Sequence, residues 1–97
     1  MLIGVLYLSL TLFETASLKD KRAVVRSLVD RTRHRFNAAV AEVGAQDDAG
    51  HAQIGITCVS NDAAHAHAML MQILHFIEEL HVDAEITDVE TEVQRAF

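Results

Sequence analysis

The six histidines of this chain are its most versatile side chains, because an imidazole can bind a metal ion or transfer a proton near neutral pH. His65 and His67 differ by two positions, so on a helix they point about 160° apart and cannot share one ion. His75 falls near Glu78 and Glu79 on the solvent side of the same helix, which is typical of a charged surface. We therefore predict no metal centre and no small-molecule cofactor.

One cysteine and a pair of aspartates complete the groups that could do chemistry. Cys58 lies on the apolar side of an alternating segment with no neighbouring cation, so its thiol is expected to be inert. Asp47 and Asp48 could bind a divalent ion, but turn formation explains them equally well. The sequence contains no nucleotide-binding, zinc-protease or serine-hydrolase motif. We predict a non-enzymatic protein without catalytic residues, and the lone cysteine indicates a reducing, cytoplasmic compartment.

The basic residues are concentrated in residues 17–43, which hold seven of the eight in the chain. Four of the seven share one flank of a helix: Lys19, Arg22, Arg26 and Arg33. Arg31 and Arg35 fall on the opposite flank. Only two acids lie among these cations, so the helix carries about +5 in a chain whose net charge is −6. Such a face can be simply solvated, but the separation of charge makes an anionic partner the alternative.

The same stretch has the spacing of an amphipathic helix that begins at Leu18. Ser17 can cap the first turn by accepting from a backbone N–H, and Asp20 can serve as the acid of a capping box. Apolar residues recur at spacings of three, four and seven along one face: Leu18, Val25, Leu28, Val29, Thr32 and Phe36. We expect this face to contact the core, with Lys21 near its boundary.

Four segments have strand patterns: residues 1–13, 38–45, 53–59 and 82–93. The first and third alternate most strongly and are predicted to be central, with the leucines of the first strand facing the core. A second amphipathic helix follows three consecutive candidate caps, Ser60, Asn61 and Asp62. The apolar run at the N-terminus is shorter than the ~20 residues that span a bilayer, so no membrane association is expected.

The order of these elements, βαββαβ, predicts a single α+β domain over residues 1–97. We expect a ferredoxin-like sandwich with a four-stranded antiparallel sheet in the order 4-1-3-2. Both helices are expected on the face of the sheet that carries the leucines. The opposite face is then left without a layer of its own.

This outer sheet face is predicted to be half apolar. Its expected apolar members are Ile3, Val5, Tyr7, Val59, Val89 and Val93. Covering a contiguous apolar patch by a two-fold contact is the commonest arrangement, so we predict a homodimer interface here. A stacking platform for RNA bases is not favoured, since Tyr7 is the only aromatic residue in the middle of either central strand.

A further set of residues stands in contiguous runs over nearly the whole chain: Ser17, Leu18, Lys19, Lys21, Arg22, Arg35, Phe36, Asn37, Ala41, Glu42, Val43, Gln46, Asp47, Ser60, Asn61 and Asp62. In these runs the chain resembles the YlxP-like family of small bacterial domains of unknown function. It departs from that family at Ala39, where serine is usual, and at residues 48–50, where a bulkier hairpin tip is usual.

The resemblance implies a ferredoxin-like fold and no established activity. Genes of the family often lie beside those for translation initiation factor two and a ribosome-binding factor, which implies work on the ribosome or on RNA. The leading hypothesis is a cytoplasmic module that docks on the ribosome or another structured RNA through Lys19, Arg22, Arg26 and Arg33. The alternative is a self-associating, protein-binding module with no role in binding nucleic acid.

Overall fold

The computed structural model describes residues 1–13, 15–80 and 82–97. The strands are β1 (Leu2–Leu12), β2 (Ala39–Gly44), β3 (His51–Ser60) and β4 (Ala84–Arg95), and the helices are α1 (Leu18–Arg35) and α2 (Ala63–Glu78). The sheet runs β2-β3-β1-β4 with every neighbouring pair antiparallel, so the predicted order 4-1-3-2 is confirmed. No helix in the described ranges has the length and apolar content needed to cross a membrane.

The core lies between the leucine face of β1 and the two helices. Alternate residues of β1 are buried, from Leu6 to Leu12, because every second side chain of a strand points to the same face. The neighbouring strand contributes Ile54 and Ile56 to the same layer, and α2 covers it with Leu70, Ile73 and Ile77, as α1 does with Val25, Leu28 and Val29. The predicted two-layer sandwich, with both helices on the leucine face, is therefore confirmed.

Both helices begin at the capping residues that the sequence offers. The Ser17 hydroxyl accepts from the backbone N–H of Asp20 at 3.2 Å, as predicted for the start of α1. The Asp20 carboxylate accepts from the N–H of Ala16 at 3.2 Å, one residue before the position that a capping box would use. Of the three candidate caps of α2, Asp62 is the one that accepts from the N–H of His65. These contacts fix the residues at which the two helices begin.

A bulge in β4 decides which of its side chains face the helices. Ser9 pairs with Asp88, but the next residue of β1, Leu10, pairs with Ile86, so Thr87 is an extra residue on β4. An extra residue reverses the alternation of side chains on either side of it. The helix-facing set therefore changes from even to odd numbers after Thr87.

The expectation that Val89 and Val93 lie on the outer sheet face is wrong. Val89 pairs with Leu8 and Val93 with Gly4, and directly paired residues point to the same side of a sheet. Leu8 and Gly4 are buried beneath the helices, so both valines belong to the helix side. The outer face of β4 instead carries four acids: Glu85 before the bulge, and Asp88, Glu90 and Glu92 in a row after it.

Candidate functional site

The four cations predicted as an anion site, Lys19, Arg22, Arg26 and Arg33, are all exposed on α1. Arg22, Arg26 and Arg33 line one groove of about 410 Å³ between α1 and β2, together with Asp30 and Glu42. Lys19 lies one helical turn earlier and outside this groove. The structure thus brings three of the four predicted residues together, while the fourth extends the row toward the start of the helix.

The exposed cations of α1 have no charged partner in the part of the chain that the structure describes. None of Lys19, Arg22, Arg26, Arg31, Arg33 and Arg35 forms an ion pair there; the pairs that are present involve other residues. Arg33 donates to the backbone carbonyl of Val40 at 2.6 Å, which fixes it against the free edge of β2. Asp30 and Glu42 line the same groove without forming an ion pair with these cations.

Arg35 marks the opposite flank of α1, which faces α2 rather than β2. Its guanidinium carbon lies 5.3 Å from the centre of the Phe36 ring, a cation–π distance. Phe36 in turn packs edge-on against Phe76 of α2, with the ring centres 5.3 Å apart. The two flanks predicted from helical geometry are therefore separated by the packed face of the helix.

Lys21 is the residue that sequence reasoning placed least well. Its side chain is completely buried, although it was expected only near the core boundary. Its ammonium lies 3.0 Å from Oε2 of Glu42 and also donates to the backbone carbonyl of Ala45. The signal was present, since Lys21 lies four residues before Val25 and seven before Leu28, on the buried face of α1.

The loop between β2 and β3 is anchored on that buried lysine. Ala45, whose carbonyl Lys21 contacts, has a positive φ of 56°, a conformation that non-glycine residues rarely adopt. The same carbonyl accepts from the N–H of Asp48 at 3.0 Å. The Thr15 hydroxyl donates to the carbonyl of Ala49 at 2.7 Å and ties the loop to the chain before α1. Helix α1 and this hairpin therefore form one connected unit.

Both carboxylate oxygens of Asp48 make contacts within this turn. One oxygen accepts from the N–H of Gly50 at 2.8 Å, and the other lies 3.0 Å from Nδ1 of His51. The pKa of Asp48 is held below its ordinary value, because its contacts favour the charged carboxylate. The Gly50 N–H has the largest effect and His51 the next largest. Of the two uses considered for Asp47 and Asp48, the structure shows turn formation at Asp48. Among the described residues no three His, Cys, Asp or Glu side chains converge on one point.

Cys58 and the helix histidines show the environments expected for them. Cys58 is buried on the core side of β3, and burial raises the pKa of its thiol, which keeps it protonated and unreactive. His65 and His67 are exposed on α2. Nε2 of His75 lies 4.0 Å from Oε1 of Glu79, and both side chains are largely exposed. This is a solvated surface contact.

The outer sheet face has an apolar half and an acidic half. Ile3, Val5 and Tyr7 of β1 are half-buried there, and Val59 of β3 is 64% exposed. Beside them is a hollow of about 390 Å³ lined mainly by small or apolar side chains: Val5, Ala39, Ala41, Val43, Gly55 and Thr57. Arg33 reaches the rim of this hollow from α1. The acids of β4 lie on the far side of β1 from it.

The sequence matches the family described as "Protein of unknown function (DUF503)" over residues 3–91. It is 30% identical over 90 residues to "Uncharacterized protein YlxP" of Bacillus subtilis (strain 168), covering 92% of this chain and 98% of that protein. The resemblance to a YlxP-like family is therefore confirmed.

A solved structure confirms the fold. A de novo designed protein with a ferredoxin fold superimposes with a TM-score of 0.56 at 18% identity, covering 99% of this chain and 88% of that one. SnoaB, a cofactor-independent oxygenase from Streptomyces nogalater, superimposes with a TM-score of 0.48 at 10% identity, covering 97% of this chain and 92% of that one.

Proposed function

We propose that this chain, which belongs to the DUF503 family of proteins of unknown function, is a non-enzymatic module that docks on structured RNA, such as that of the ribosome. The residues that would contact the RNA are Lys19, Arg22, Arg26 and Arg33. One observation carries the proposal. These cations are exposed and, within the described residues, have no acidic partner, although the chain as a whole is acidic. Asp30 and Glu42 also line the groove, but neither pairs with these cations, and a row of unpaired cations is suited to an anionic ligand.

The dimensions of the flank support a nucleic-acid backbone as that ligand. The row from Lys19 to Arg33 spans 14 steps of α1, about 21 Å at ~1.5 Å rise per residue. Side chains at this spacing can contact several phosphates in succession along one strand. Three of the four are arginines, whose planar guanidinium groups bind phosphate oxygens in pairs.

The distribution of acids supports an oriented contact. The acidic row Asp88, Glu90 and Glu92 lies on β4, which is the edge strand on the opposite side of the sheet from β2. RNA that contacts the α1–β2 groove therefore stays away from that row. Arg33, fixed to the carbonyl of Val40, holds its charge at the groove without losing further side-chain freedom on binding.

The test is RNA binding as a function of salt concentration, with a ribosomal RNA stem-loop as the probe. If all four cations neutralise phosphates, the slope of log K against log salt should be about −4, from ~0.9 per phosphate. The double variant Arg22→Glu with Arg26→Glu should bind more weakly across unrelated stem-loops and reduce the slope to about −2. The matched control is Arg31→Glu with Arg35→Glu, which makes the same change of charge on the opposite flank.

Binding that keeps its slope in the Arg22 and Arg26 variant would show that this flank is not the RNA site. Equal losses in both double variants would show a response to net charge rather than to a site. A partner recovered from native lysate in equal amount after nuclease treatment would favour the alternative, in which the cations contact an acidic protein surface.

A further inference from the structure

One row of the outer sheet face holds both its largest side chain and part of the hollow. Tyr7 of β1, which is half-buried, pairs directly with Gly55 of β3, where the Val43 side chain lies 3.0 Å from the position that a Cβ would take. Ala41 of β2 pairs with Gly55 on the other side, which extends the hollow toward the edge of the sheet. A face that carries a large aromatic side chain and an apolar hollow in the same row can pack against a copy of itself in which the two exchange places.

The charges of this face are also of opposite sign at its two edges. Glu92 pairs with Val5 and stands at the β4 edge, while Arg33 reaches the rim of the hollow at the β2 edge. Val5 pairs with Thr57, and Thr57 pairs with Ala39, so Glu92 and the rim near Arg33 lie at the ends of one row across the sheet. The apolar centre is thus flanked by an acid on one side and a base on the other.

We propose that this face binds a second copy of the chain about a two-fold axis parallel to the strands. Such an axis passes between β1 and β3. Each row of directly paired residues across the sheet then lies over the same row of the other copy, with the order of the four strands reversed. Tyr7 of each copy then lies over Gly55 of the other, and Glu92 of each copy lies beside Arg33 of the other. This inference goes beyond RNA docking and does not depend on it, but Arg33 serves only one of the two contacts at a time, so the dimer leaves Lys19, Arg22 and Arg26 available to RNA.

The charges select this axis over the other face-to-face arrangement. A two-fold axis perpendicular to the strands would place β4 over β4 and bring its row of carboxylates, Asp88, Glu90 and Glu92, against the same row. Like charges directly opposite one another are destabilising. The parallel axis instead puts each acidic edge over the other copy's Arg33 edge, and aligned packing of two sheets is a common arrangement.

The size of the face sets the strength of the contact. Four strands at ~4.8 Å spacing and about eight residues of length give roughly 500 Å² per copy, or about 1,000 Å² in total. Stable interfaces usually bury about 1,200–2,000 Å², so this contact falls just below that range, among weak and transient interfaces. We expect a reversible dimer with a dissociation constant on the order of micromolar.

The test is sedimentation equilibrium of the purified chain from low to high micromolar concentration. The wild type should convert from monomer to dimer. Arg33→Glu and Glu92→Arg should each raise the dissociation constant at least about tenfold, since each brings like charges together. The double variant, Arg33→Glu with Glu92→Arg, restores opposite charges at both contacts and should recover most of the lost affinity.

Two controls keep this result interpretable. Arg35→Glu makes the same charge change as Arg33→Glu on the flank that faces α2 and should leave the dissociation constant unchanged. Tyr7→Ala removes the largest side chain of the face without altering charge and should raise the dissociation constant, while thermal unfolding verifies that each variant is folded. A wild type that is monomeric at high micromolar concentration overturns the proposal, and so does a dimer whose double variant is no tighter than either single variant.

Discussion

Lys21 is completely buried, and its ammonium lies 3.0 Å from Oε2 of Glu42. Among the described residues that oxygen accepts no aligned hydrogen bond, so charge attraction holds the pair. A buried ammonium without a countercharge is strongly unfavourable. The contact therefore links the first turn of α1 to β2. This turn also carries Lys19, the first of the four exposed cations.

The two partners of this pair should respond unequally to neutralisation. Glu42→Gln leaves a charged lysine with no access to solvent and should cost about 3 kcal/mol in the free energy of unfolding. Lys21→Met should cost less, because the Glu42 side chain is 19% exposed and can be partly solvated. Urea denaturation measures both values, with the exposed Lys19→Met as control, expected within about 0.5 kcal/mol of wild type. A larger cost for Lys21→Met than for Glu42→Gln would contradict the assignment.

Ala45→Gly should stabilise the protein. Ala45 has φ 56°, where an alanine is strained by roughly 1 kcal/mol and a glycine is not. Glycine also costs about 0.5–1 kcal/mol through the unfolded state, so we expect a net gain of up to about 1 kcal/mol in the free energy of unfolding. Ala49→Gly in the same loop is the control: its φ is not positive, so glycine there should destabilise by about 0.5–1 kcal/mol through the unfolded state. A loss of stability in Ala45→Gly would show that the conformation is not strained.

The contribution of Asp48 to stability should disappear in acid. The pKa of its carboxyl is lowered below 3.8 in the fold, so the folded state binds its proton less readily than the unfolded state does. Its stabilising effect is therefore full above pH 3.8 and is lost as the pH falls through the lower, folded-state pKa. Unfolding measured against pH should show Asp48→Asn less stable than wild type at neutral pH and equal to it in strong acid. Asp47→Asn makes the same change of net charge one residue earlier in the turn and is the control.

Gly4→Ala should destabilise the core for a steric reason. A methyl group at Gly4 would lie 3.0 Å from Sγ of Cys58 and 3.3 Å from Leu70, closer than ordinary contact. Overpacking of this kind costs about 1–3 kcal/mol. Adding Cys58→Ala to Gly4→Ala should recover part of that loss, which thermal unfolding of the four proteins of the cycle can measure. Strictly additive effects would show that the sulfur is not the obstacle.

The fold could be predicted because its two central strands carry the strongest alternation. The leucines of β1 and the isoleucines of β3 identify one buried face, and helix spacing identifies the face of α1 that covers it. Ser17 and Asp62 are cap residues whose role is local and therefore visible in the sequence. These features depend on neighbours along the chain rather than on distant contacts.

The features that escaped prediction depend on contacts between distant segments. Helix spacing places Lys21 on the buried face of α1, but burying its charge requires Glu42, 21 positions later, to lie beside it, and lysine is otherwise almost never fully buried. The outward acids of β4 result from the extra residue at Thr87, which no local pattern marks. The basic row could be located from helical geometry, but its freedom from acidic partners is a property of the folded surface.

The separation of charge between α1 and β4 makes this chain an electric dipole directed across its sheet. The cationic helix groove adjoins β2 at one edge, and the carboxylate row belongs to β4 at the other edge. In the field of any polyanion such a molecule experiences a torque that turns its β2 edge forward before contact is made. This orientation acts only within about one Debye length, ~10 Å at 0.1 M salt, so added salt should slow association much more than it accelerates dissociation.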